Sequence, residues 1–117
     1  MNLRSVLLTL AATAAIPAPA VADQLDHSLA QGELLQQSCS SEALALRAMC
    51  LGYLAAVADD LDRDQRPGER TMCAPHPVNL DAYRLAFLGF AQSNPAQLGQ
   101  PSFDLVKRAL AEAWPCR

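Results

Sequence analysis

Two groups of residues in this chain have types and spacings that invite chemistry. Asp60, Asp62 and Asp64 alternate as do the carboxylate ligands of a calcium-binding loop. Such a loop needs a glycine directly after the third acid and a glutamate near its end, where this chain has Gln65 and Thr71. The acids therefore read as the end of a helix running into a solvated loop. Cys73 and His76 have the types for half a zinc site, or for a nucleophile with its base. In an exported chain with paired cysteines, a disulfide beside an exposed loop histidine is the better reading. No Gly-x-Ser-x-Gly, phosphate-binding glycine loop or His-Glu-x-x-His occurs, and His27 is the only other histidine. The sequence thus predicts no catalytic residue, no metal and no cofactor, and a protein that is not an enzyme.

The N-terminus places the chain in an oxidising compartment. Arg4 supplies a positive charge, residues 6–16 are apolar apart from Thr9 and Thr13, and Ala20-Val21-Ala22 has the small-x-small form of a cleavage site. The expected organisation is a signal peptide over residues 1–22 and one domain over residues 23–117, located in the periplasm after export. The apolar run is shorter than the roughly 20 residues that a membrane span requires. Export turns the four cysteines, Cys39, Cys50, Cys73 and Cys116, into an expected pair of disulfides. Four cysteines allow three connectivities. Antiparallel packing of successive helices favours Cys73 with Cys116, leaving Cys39 with Cys50.

Composition narrows the partners. The chain has 117 residues, of which 51% are hydrophobic, 18% charged and 5% aromatic, with a net charge of -3. A mildly acidic protein gains nothing electrostatically from nucleic acid or an anionic lipid surface, and so few aromatics make a poor stacking platform. A protein surface remains as partner.

The elements that would position these residues are all helical. Gly32-Glu33-Leu34-Leu35-Gln36-Gln37-Ser38 reads as a short first helix ending at Cys39. Ser40 and Ser41 can cap a long second helix that ends near Asp62. In that helix Leu46, Cys50, Tyr53, Val57 and Leu61 have the spacing of one buried stripe, and Gly52 with Ala56 offers a notch for close approach of another helix. A charged loop with a Pro-Gly turn follows at residues 63–70, then Cys73-Ala74-Pro75-His76-Pro77, which two prolines keep extended. Asn79 caps a third helix whose buried face is Leu80, Tyr83, Phe87 and Phe90 or Ala91, ending at Ser93-Asn94-Pro95. Pro101 and Ser102 open a last helix with the stripe Phe103, Val106, Leu110, Ala113 and Trp114, which Pro115 stops. The aromatic residues sit at helical spacing, as core packing requires. The expectation is an all-α bundle of about four helices held by two disulfides.

In order along the chain stand a signal peptide, a Gly-Glu-Leu-Leu helix leading to a cysteine, and a Cys50-Leu51-Gly52-Tyr53 helix running to paired aspartates. A Cys73-Ala74-Pro75 turn, a helix ending Asn94-Pro95 and a closing Trp114-Pro115-Cys116 complete the series. Together, over residues 32–116, they resemble the Rap/Tai immunity proteins. The resemblance implies an all-helical periplasmic domain, often a homodimer, that blocks a peptidoglycan amidase delivered by type VI secretion, occluding its cleft with a protruding loop. Ala56 stands where the family commonly has glycine, and Gly89-Phe90-Ala91 where it has an aromatic-Leu pair. The protein toxin would meet Arg63, Arg66, Glu69, Arg70, Pro75 and His76, with the charges steering the encounter and the prolines stiffening the loop. The alternatives are a small periplasmic stress-related or chaperone-like protein, and a family member without a cognate toxin.

Overall fold

The computed structural model describes residues 29–63 and 68–117. The expected signal peptide, and with it His27, lies outside the described residues, as do Asp64 and Arg66. Four helices form the body: α1 (Gly32–Ser40), α2 (Leu44–Arg63), α3 (Leu80–Ser93) and α4 (Ser102–Ala113), with a 3-10 turn at Pro95–Gln97 between the last two. No strand occurs among the described residues, and the all-α expectation with two disulfides holds.

The helix ends follow local chemistry. The Asn79 side chain accepts the Asp81 backbone N–H at 2.9 Å, satisfying one of the orphan donors of α3. Ser41 Oγ accepts the Ala43 N–H ahead of α2 at 3.1 Å. At the other end of α3, Asn94 N–H donates to Phe90 O and Ala91 O, closing the last turn before Pro95. Each boundary sits within a few residues of its sequence signal.

One core joins all four helices. Leu35 and Cys39 come from α1, Cys50, Leu54, Val57, Ala58 and Leu61 from α2, Tyr83, Phe87, Phe90 and Ala91 from α3, and Leu105, Val106, Ala109 and Leu110 from α4. Met72, from the segment before α3, is fully buried with them. Arg84 ties α3 to α1: its Nε bonds Asp81 Oδ1 at 2.6 Å and its Nη1 donates to Cys39 O at 3.2 Å. That bond holds the Asp81 carboxyl below its ordinary range.

Two helices bury part of the expected stripe and shift the rest of the inward face. On α2 the buried line is Cys50, Leu54, Val57 and Leu61, while Leu46 is 40% exposed and Tyr53 is half-buried. A side chain added at Gly52 would meet nothing within 4 Å among the described residues, so no described helix fills the expected notch. On α4 Val106 and Leu110 are buried as expected, but Leu105 and Ala109 join them in place of Phe103, which is 38% exposed, and of Ala113, which is at the surface. Leu80, expected inside, is likewise exposed at the start of α3.

The glycine that packing does require is Gly32. A Cβ there would lie 2.7 Å from the Leu98 carbonyl oxygen and would collide with Leu105 Cδ1. The start of α1 is laced to the chain before α4 by Gly32 N–H to Gln100 O at 3.1 Å, Glu33 N–H to Leu98 O at 3.0 Å and Ser102 N–H to Ala30 O at 3.0 Å. Bulk at this position would have to displace backbone, which a flexible side-chain neighbour would not demand.

Candidate functional site

The segment between α2 and α3 is tied down at several points and exposed between them. Met72 plugs into the core, and Val78 packs against it just before the Asn79 cap. Cys73 bonds Cys116, with Cα atoms 5.0 Å apart, and its N–H donates to Trp114 O at 2.9 Å. Trp114 in turn stands edge-on to Tyr83, ring centroids 5.5 Å apart at 87°. Burial raises the Tyr83 phenol above its ordinary range, and the carboxylates of Asp62 and Asp59 add to the rise. The loop is thus anchored through a bridge, a backbone hydrogen bond and an aromatic pair to the end of α4.

Cys73 and His76, which have the types for half a zinc site, are engaged otherwise. Cys73 is oxidised into a disulfide, so its sulfur is no thiolate donor. His76, 65% exposed, has its Nε2 3.3 Å from Asp62 Oδ2, a contact that becomes an ion pair when the imidazole is protonated. Among the described residues no three His, Cys, Asp or Glu side chains come together as metal ligands.

The expected partner-contact residues are distributed as follows. Arg63 is the exposed last residue of α2, one position after the Asp62 that meets His76. Glu69, Arg70, Pro75 and His76 are all exposed. Gly68 has φ of +89°, the left-handed region that costs an L side chain, so this position turns the chain where a larger residue would strain it. An open hollow of about 360 Å³ is lined by Gly68, Arg70, Cys73, Cys116 and Arg117.

Arg117 is the residue that reading along the chain missed. The Cys73–Cys116 bridge carries it to the same hollow as Arg70, so two guanidinium groups far apart in sequence share one surface. The signal for it was present: once Cys116 is paired with Cys73, its neighbour must lie near the residues that precede Cys73. This end of the molecule therefore presents cationic side chains on a chain of net negative charge, the arrangement that steers an acidic surface toward it.

No described helix is long and apolar enough to cross a membrane. The model of one protein family, described as Rap1a immunity proteins, matches residues 31–116. Comparison with curated proteins and with solved structures finds no match.

Proposed function

Because the chain belongs to the Rap1a immunity protein family, we propose that it is a periplasmic immunity protein that binds a type VI secretion effector, a peptidoglycan amidase, and occludes its active-site cleft. The family match over residues 31–116 carries this reading. The tethered loop supports its mechanism. An open cleft is blocked best by a segment already held in shape, because the entropy of ordering it is lost during folding and not at the encounter. Met72, the Cys73–Cys116 bridge and the Asn79 cap hold this segment from three sides.

In this reading the chain has no catalytic residue and needs no cofactor; its work is to exclude substrate. Arg63, Arg66, Glu69 and Arg70 set the approach and the partner, while Pro75 and His76 supply contact at the rim. Arg117 joins them through the disulfide. Two copies associating as a homodimer would present two such loops. A stress-related protein that opens on acidification needs carboxyl groups buried in the fold. Among the described residues every Asp and Glu reaches solvent, which speaks for immunity over that alternative.

Isothermal titration of the oxidised protein with type VI peptidoglycan amidases, beginning with any encoded beside it, tests the reading. Replacing Arg66 and Arg70 together by Ala should weaken binding by about 1 kcal/mol or more if both touch the toxin. Unchanged affinity moves the interface elsewhere on the chain.

A further inference from the structure

One flank of α2 carries a second surface feature. Tyr53, Ala56, Val57 and Asp60 recur at steps of three, one and three residues, one face of a helix, and together with Phe103 of α4 they line an open groove of about 370 Å³. Asp60 and Asp62 are separated by roughly 200° around the helix axis, so the groove and the His76 contact occupy different sides. Its walls are aromatic, its floor is Ala56 and the buried Val57, and its rim carries the exposed carboxylate of Asp60. Gly52 leaves the adjoining turn open, since a side chain there would meet nothing. Phe103 is exposed, and Tyr53 packs one side against the core while its remaining surface lines the groove.

The charge of this groove points to its occupant. Burial raises the Tyr53 phenol above its ordinary range, and the negative charge of Asp104 adds to the rise, so a second carboxylate besides Asp60 acts on this side of the groove. The Phe103 ring already attracts one cation, the Lys107 ammonium 5.2 Å from its centroid. Among the described residues Asp60 has no cationic partner. A planar cation that stacks on aromatic rings and pairs with a carboxylate satisfies all of these features together, and arginine is the side chain of that description.

We propose that the groove between Tyr53 and Phe103 is a docking point for an arginine side chain of a protein partner, its guanidinium against the aromatic walls and paired with the Asp60 carboxylate. It lies on a different side of α2 from the His76 contact with Asp62. The groove would give a partner a second, separately tunable contact on this chain.

Nuclear magnetic resonance titration of the oxidised protein with the capped peptide acetyl-Gly-Arg-Gly-amide, and with its uncharged citrulline counterpart, tests this. The arginine peptide should shift the Tyr53, Ala56 and Phe103 resonances saturably, and the citrulline peptide should bind several-fold more weakly. Asp60→Asn should lower affinity for the arginine peptide about threefold. Tyr53→Leu should weaken it without abolishing the folded spectrum, and Lys107→Ala should strengthen it by removing a competing charge. Equal shifts from both peptides, or none in the groove, would overturn the proposal. So would movement of the same resonances on dilution of the protein alone, because a second copy would then be the occupant.

Discussion

The two disulfides of this small domain lie in opposite surroundings. Cys39 and Cys50 have no exposed surface and belong to the same core as Leu35, Leu54 and Phe87. Cys73 is exposed and Cys116 half-buried, and what their bridge joins is a loop and the end of the chain. The inner bridge links α1 to α2 across 11 residues, and the outer one spans 43. Loop-closure entropy alone favours the longer span, about 4 kcal/mol against about 3 kcal/mol. Packing reverses the ranking, since removing the inner sulfurs also leaves a cavity among buried side chains. The inner bridge is therefore part of the core, whereas the outer one fixes the shape of an exposed segment. A bridge placed there restrains the loop more than it supports the fold.

That contrast can be broken by removing each pair in turn. Replacing Cys39 and Cys50 by Ala should cost about 5 kcal/mol in urea denaturation and loosen α1 against the remaining helices. Replacing Cys73 and Cys116 should cost about 4 kcal/mol yet leave the helical circular dichroism at native level. Dithiothreitol without denaturant, followed by alkylation and mass mapping, should open the outer bridge first; simultaneous reduction of both would erase the distinction. Next in size is Gly32→Ala, expected to lose about 3 kcal/mol because the new methyl group meets the Leu98 backbone. Gly52→Ala, with open space around it, should stabilise α2 by several tenths of a kcal/mol in the monomer, in keeping with helix propensity.

A smaller effect is expected at alkaline pH, where the outer region reports on itself. The phenols of Tyr83 and Tyr53 are raised in the folded protein. The stability they contribute is complete below the ordinary tyrosine value near 10 and is lost as pH rises through the folded values. Ultraviolet titration should show both tyrosines ionising later than free tyrosine, with unfolding setting in over the same range. Normal titration of Tyr83 would mean that Trp114 and the loop do not shield it. The smallest expected change is Ser102→Ala: its buried Oγ has no hydrogen-bond partner among the described residues, so deletion should be neutral or stabilising in the same urea assay.

The fold was readable wherever one side chain decides a local question. Asn79 as a cap, Pro95 and Pro115 as stops and the alternation of cysteines with helices each have a mechanism confined to a few residues, and the helix ends and both bridges came out as expected. The inward faces were harder. Helix α2 has Leu or Ala around most of its circumference, so Leu46-Cys50-Tyr53 and Cys50-Leu54-Val57 are both acceptable stripes by spacing, and only tertiary packing selects the second. On α4, Phe103 looks like a core residue by size, but it shares a side of the helix with Lys107, while Leu105 and Ala109 lie opposite. Glycine roles were also exchanged: the open one is Gly52 and the crowded one Gly32, because crowding depends on the distant Leu98 and Leu105. Of the candidate surface, the charges and prolines could be read directly. Arg117 required the bridge geometry.

The most direct test of the central claim, that this chain neutralises an amidase with its tethered loop, is inhibition of muropeptide cleavage by type VI peptidoglycan amidases, beginning with any encoded beside it. The oxidised protein is predicted to stop cleavage at one equivalent, with the Cys73→Ala, Cys116→Ala variant inhibiting more weakly although folded. An undiminished cleavage rate in the presence of the folded protein, both disulfides intact, would contradict the account.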